Sequence, residues 1–84
     1  MNNQEIYGMV ANNIKKYRKS IKITQKELAE LSGYSYEYIR RIESKKYQKG
    51  FSIEFVYFIS LALKIPFFWF FIDELQLNNK CTND

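Results

Sequence analysis

The sequence contains no histidine, which removes the side chain most often used as a general base near neutral pH and the commonest metal ligand. It has a single cysteine, Cys81, so no internal disulfide and no cysteine-rich metal site can form, and a reducing, cytosolic setting fits. No glycine-rich phosphate loop is present. The longest apolar run, residues 67–72, is far too short to span a bilayer. Near the start, Asn2, Asn3 and Glu5 stand where a secretory signal would need a basic segment followed by an apolar one. Together these absences argue against an enzyme. The carboxylate pairs Glu27 with Glu30 and Asp73 with Glu74 read as ordinary surface groups, and no cofactor or metal is expected.

With only three glycines and one proline the chain has few breakers and reads as helix-rich. Its 84 residues suit one small domain, over residues 1–77, followed by a polar tail at 78–84 expected to be frayed. An apolar share of 46% permits a core, though a thin one at this length. The formal charge is +4, and it is unevenly placed: the basic residues from Lys15 to Lys49 include all but Lys64 and Lys80. The C-terminal third is acidic and rich in aromatic side chains. That asymmetry suggests a half that faces a polyanion and another half with a different task. A binder of single-stranded RNA would interleave its aromatics with basic residues. Here the densest aromatics sit in the acidic segment, which argues against that class.

Periodicity divides the chain into five expected helices. Ile6, Val10, Ile14 and Tyr17 recur on one face of a first helix that runs to about Ser20. Thr24-Gln25-Lys26-Glu27 forms a capping box, in which Thr24 and Glu27 satisfy each other's backbone N–H groups at the start of a second helix. Gly33 closes that helix, and Ser35 caps a third with Ile39 and Ile42 facing inward. Two short helices joined by Gly33-Tyr34-Ser35 make a helix-turn-helix. Residues 45–51 read as a loop. Ser52 caps a fourth helix with Ile53, Val56, Ile59 and Leu63 on its core stripe, and Pro66 fits the first turn of a fifth.

The ordered set Ile14-Lys15-Lys16-Tyr17-Arg18, Thr24-Gln25-Lys26-Glu27-Leu28-Ala29, Gly33-Tyr34-Ser35, Ile39, Ile42-Glu43 and Leu61-Ala62-Leu63-Lys64-Ile65 resembles the Cro/cI-type (XRE) helix-turn-helix family over about residues 11–71. Within it, the length and the aromatic fifth helix look similar to the controller proteins of restriction–modification systems. Compact phage-type repressors and antitoxins share the same core. The resemblance implies an all-α fold, a compact five-helix bundle of the lambda-repressor-like type. It implies a third helix, residues 35–44, that enters the major groove of double-stranded DNA, and a homodimer on a palindromic operator. Such a transcriptional regulator would be bacterial or phage-encoded and work at the nucleoid in the cytoplasm. By position, Tyr36, Glu37, Tyr38 and Arg41 fall where the family reads bases, and Gln25 where it touches a phosphate. Lys45, Lys46 and Lys49 fall in the loop that follows the backbone. Arg18 and Glu43 match a pair that in several members forms a buried ion pair between helices one and three. The sequence departs from the pattern at Lys45, where glycine is frequent, and at Gly50 and Phe51, where a proline often precedes helix four. Tyr36 and Tyr38 are also bulkier than the usual residues there.

The chemistry of these side chains suits the same task. Arg41 can give two parallel hydrogen bonds to guanine O6 and N7, and Glu37 can accept from a cytosine amino group. Tyr36 and Tyr38 offer rings to a thymine methyl or hydroxyls to a phosphate. The alternatives are a solvated Arg41 or one paired with Glu37 a turn back, and tyrosines partly packed on helix two. Gln25 lies beside the positive end of helix two, and Lys22 joins the loop lysines as a source of affinity and salt dependence without specificity.

The run Phe67-Phe68-Trp69-Phe70-Phe71-Ile72 cannot all face one core. As an α-helix it would place Phe67, Phe70 and Phe71 inward. Phe68, Trp69, Ile72 and Leu75 would then lie outward, joined by Phe55, Phe58 and Leu61 of helix four as a two-fold dimer interface. The alternative is that residues 6–10 of the first helix fold over these positions. A different reading of the whole chain is an antitoxin or other interaction module that uses this aromatic surface to hold a partner protein.

Overall fold

The computed structural model describes residues 2–44 and 50–72. Among these the chain forms α1 (Asn3–Ser20), α2 (Gln25–Ser32), α3 (Tyr36–Glu43), α4 (Ile53–Leu63) and a closing 3-10 helix (Phe67–Phe71). The all-α expectation holds. The expected fifth α-helix is instead a single 3-10 segment, with Pro66 just ahead of it as its N-cap.

Local chemistry sets the helix starts. The Asn2 side chain accepts from the Glu5 N–H at 2.8 Å. At α2 the Glu27 N–H donates to Thr24 Oγ1 at 3.0 Å while the Thr24 N–H donates to Glu27 Oε1 at 2.8 Å, a complete capping box. Ser35 accepts from the Tyr38 N–H and Ser52 from the Phe55 N–H, each at 3.1 Å. Gly33 ends α2 at φ 84°, in the left-handed region that an L side chain enters only with strain. Its N–H donates to the Ala29 carbonyl, so α2 and α3 meet through a very short turn.

The core joins Val10 and Ile14 of α1, Leu28 and Ala29 of α2, and Ile39 and Ile42 of α3 to Phe55, Val56, Ile59 and Leu63 of α4 and Phe70 of the 3-10 helix. Two expectations are corrected here. The inward stripe of α4 is Phe55, Val56, Ile59, Ser60 and Leu63, so Phe55 is 1% exposed and belongs to the core, not to an outer interface. Its ring packs against Tyr34, Tyr38 and Phe51 at centroid distances of 4.9, 5.3 and 5.5 Å. Ile53, expected inside, is 68% exposed. Placing Phe55 at the centre of the aromatic cluster rotates Ile53, in the first turn, off the buried side.

The 3-10 geometry corrects a third expectation. With three residues per turn, Phe67 and Phe70 fall on one side, whereas an α-helix would add Phe71. Phe70 is fully buried, Phe67 is half-buried and Phe71 is exposed. Ile6 is also exposed, because the first turns of α1 run beyond the core that begins at Val10. The 3-10 helix is fastened to α1 by a buried side chain, Asn13, whose Nδ2 donates to the carbonyls of Phe70 at 2.8 Å and Ile72 at 3.0 Å. The bond to the Phe70 carbonyl is buried, where an unpaired carbonyl would be costly. Tyr17 adds an edge-on ring contact to Phe70 at 5.4 Å.

Candidate nucleic-acid interface

α3 has two contrasting sides. Ile39 and Ile42 are buried against the bundle, while Tyr36, Glu37, Arg40 and Arg41 are exposed. Glu37, Arg40, Arg41 and Ser44 line a shallow open groove of about 290 Å³ along the outer side. Arg41 is exposed, and no ion pair joins it to Glu37 among the described residues. Tyr36, Glu37 and Arg41 therefore share one solvent-facing surface. Tyr38 stands apart from them: it is half-buried, stacked on Tyr34 at 5.6 Å and edge-on to Phe55 at 5.3 Å.

The far end of α3 is anchored through Glu43. Arg18 of α1 donates from Nε to Glu43 Oε2 at 2.8 Å and from Nη2 to Oε1 at 2.9 Å, a two-pronged ion pair with both side chains buried. The remaining prong, Nη1, donates to the Ile23 carbonyl at 2.8 Å. One arginine thus ties together α1, the chain leading into α2, and the end of α3. Parallel N–H···O bonds between charged partners fix orientation as well as distance.

Gln25, the first residue of α2, is half-buried and donates from Nε2 to Glu43 Oε1 at 3.0 Å. An amide nitrogen carries two hydrogens, so one is held by this bond and the other remains for a further acceptor. Lys22 is exposed in the turn between α1 and α2, at φ 63°. Lys45, Lys46 and Lys49 lie outside the described residues, as does Leu75 of the expected dimer surface.

Two side chains near this surface were not in the expected set. Lys26 and Arg40 both approach the Tyr36 ring. The Tyr36–Arg40 spacing of one helical turn was available as a signal in the sequence, whereas Lys26 reaches the ring only through the packing of α2 on α3. Asn13 was missed altogether, since its partners are remote in sequence.

A helix-turn-helix family model matches residues 14–70, the segment that runs from α1 to the 3-10 helix. This chain belongs to the Cro/cI-type helix-turn-helix family. Its structure is similar to a crystal structure described as a hypothetical transcription factor, NHTF, from Neisseria. The TM-score is 0.79 at 16% sequence identity, over 94% of this chain and 88% of that one. At that identity the likeness is one of fold. Among curated proteins none matches significantly in sequence. The exposed side of α3, the second helix of the helix-turn-helix, is the candidate surface. No described helix is long and apolar enough to cross a membrane.

The side chains expected at a dimer interface lie on α4 and the 3-10 helix. Phe58 and Leu61 of α4 and Phe68 and Trp69 of the 3-10 helix are all exposed, and Ile72 is half-buried. Residues 6–10 do not cover them. Ile6, Tyr7 and Val10 instead border an apolar groove of about 190 Å³ with Phe51, Ile53, Val56 and Phe71.

Proposed function

We propose that this chain is a sequence-specific, double-stranded DNA-binding transcriptional regulator that acts as a homodimer on a palindromic operator, with α3 seated in the major groove. The observation that carries the reading is the outer side of α3. Tyr36, Glu37 and Arg41 stand exposed there on a helix that is buried behind and pinned at its end by the Arg18–Glu43 pair.

In this reading Arg41 donates to guanine O6 and N7, Glu37 accepts from a cytosine amino group, and Tyr36 meets a thymine methyl. The packing of Tyr38 on Phe55 and Tyr34 favours a bracing role for it over a base contact. Gln25 and Lys22, with Lys45, Lys46 and Lys49, supply phosphate contacts that set register and affinity. Phe58, Leu61, Phe68, Trp69 and Ile72 form the two-fold interface that sets the spacing of the half-sites. The protein would act in the cytoplasm of a bacterium, at the nucleoid.

Selection of bound sites from a random duplex pool tests this directly. A palindrome with a guanine in each half-site is expected, and Arg41→Ala should relax the preference at that guanine and weaken specific binding by about 1–3 kcal/mol. Failure to enrich any duplex sequence would overturn the proposal. The exposed aromatic surface also suits a partner protein, as in an antitoxin, and a monomer in sedimentation that enriches no duplex would favour that second reading.

A further inference from the structure

The Tyr36 ring is a meeting point for two cations from different helices. Lys26 Nζ, from α2, lies 5.7 Å from the ring centroid, and Arg40 Cζ, one turn further along α3, lies 5.9 Å from it. α2 packs directly on α3, which is why a lysine from one helix reaches a ring on the other. All three residues are exposed.

Neither cation has a carboxylate partner among the described residues. This matters because a carboxylate would both hold a cation and cancel its charge. An aromatic ring attracts a cation through its quadrupole and leaves the charge uncancelled. Lys26 is also placed against local preference, since it occupies the first turn of α2, where the positive end of the helix opposes a cation. The result is two full positive charges steered to one rim of the α3 surface, a placement that helix stability does not explain. Such a rim attracts a polyanion.

We propose that Lys26 and Arg40, oriented by the Tyr36 ring, form a phosphate clamp that grips the DNA backbone at the edge of the groove entered by α3. The inference rests on the DNA-binding reading and deepens it. Lys26 and Arg40 are the binding groups, and Tyr36 is a positioning residue for them whatever its edge does toward a base. The grip is independent of base sequence, because phosphates carry the same charge along the whole duplex.

The test measures the affinity of the full chain for a short duplex pool of random sequence across a range of salt concentrations. A random pool averages out base reading, so changes at Tyr36 report on the clamp. Lys26→Ala and Arg40→Ala should each make the plot of log affinity against log salt shallower by about 0.9, the contribution of one neutralised phosphate. Tyr36→Leu, which removes the ring that orients both cations, should weaken binding to the random pool several-fold. In a variant that already lacks both cations, adding Tyr36→Leu should cost clearly less than it does in the wild-type chain, whereas a ring that acted independently of the cations would cost the same in both. Unchanged slopes in Lys26→Ala and Arg40→Ala would overturn the clamp while leaving DNA binding intact. A wild-type chain with no salt-dependent duplex binding would overturn the underlying reading and the clamp with it.

Discussion

Lys22 and Lys64 are lysines held at φ 63° and 58°, in the left-handed region that costs a non-glycine residue about 1–2 kcal/mol. Lys64 ends α4, but Lys22 lies in the turn into α2, among the side chains expected to meet phosphate. Strain and charge can therefore be separated there. Lys22→Gly should keep or raise the melting temperature while making duplex binding less salt-dependent by about 0.9 in slope. A lower melting temperature with an unchanged slope would contradict both halves of that expectation. Glu43 is the opposite kind of residue, because everything it does is internal. It accepts from Arg18 Nε and Nη2 and from Gln25 Nε2. Removing it strands a buried guanidinium, so Glu43→Ala should lose about 3–5 kcal/mol in urea unfolding. Replacing both partners by apolar residues, Arg18→Met with Glu43→Leu, should be less damaging than the single change, since no charge is then left buried alone.

At the scale of elements, the 3-10 helix depends on Asn13. Asn13→Ala would leave the Phe70 and Ile72 carbonyls without their donor, at about 1–3 kcal/mol for an unsatisfied group. In the proposed dimer it should also loosen Phe68 and Trp69, so a weaker self-association constant in sedimentation is expected alongside the lower stability. The helix starts were readable in the sequence because a cap involves atoms only three residues apart, as at Thr24 with Glu27, Ser35 with Tyr38 and Ser52 with Phe55. The end of α2 was equally readable, since Gly33 answers a local backbone need. The facing of α4 was not. Its composition is so apolar that several stripes fit, and the choice of Phe55 over Ile53 is made by Tyr34, Tyr38 and Phe51 from other parts of the chain. The 3-10 geometry of Phe67–Phe71 was hidden for the same reason, because the donor that secures it lies on α1. On the candidate surface, the outward placement of Tyr36, Glu37 and Arg41 followed from their spacing against Ile39 and Ile42. The inward lean of Tyr38 required knowing that an aromatic ring waits on α4.

For the whole molecule, the central division is between a charged surface on α3 and an apolar surface on α4 and the 3-10 helix. Phe68 is 62% exposed and Trp69 40%, and the proposed homodimer would bury both against a second copy. The double change Phe68→Glu with Trp69→Glu should therefore yield a monomer in sedimentation with its helical content intact. Palindromic duplex binding should weaken at the same time, since each half-site is then bound without help from the other. A chain that remains dimeric would place the interface elsewhere. The fastening of α3 at both ends has a further consequence for such a dimer. With its start set by the Gly33 turn and its end by Arg18, the helix has no hinge of its own, so in the proposed dimer the separation of the paired α3 helices is set by the interface alone. One base pair inserted between half-sites turns one of them by roughly a tenth of a revolution about the duplex axis. The nucleic acid then has to absorb that mismatch by untwisting, and elongated operators should be tolerated in the order of the torsional softness of their central steps.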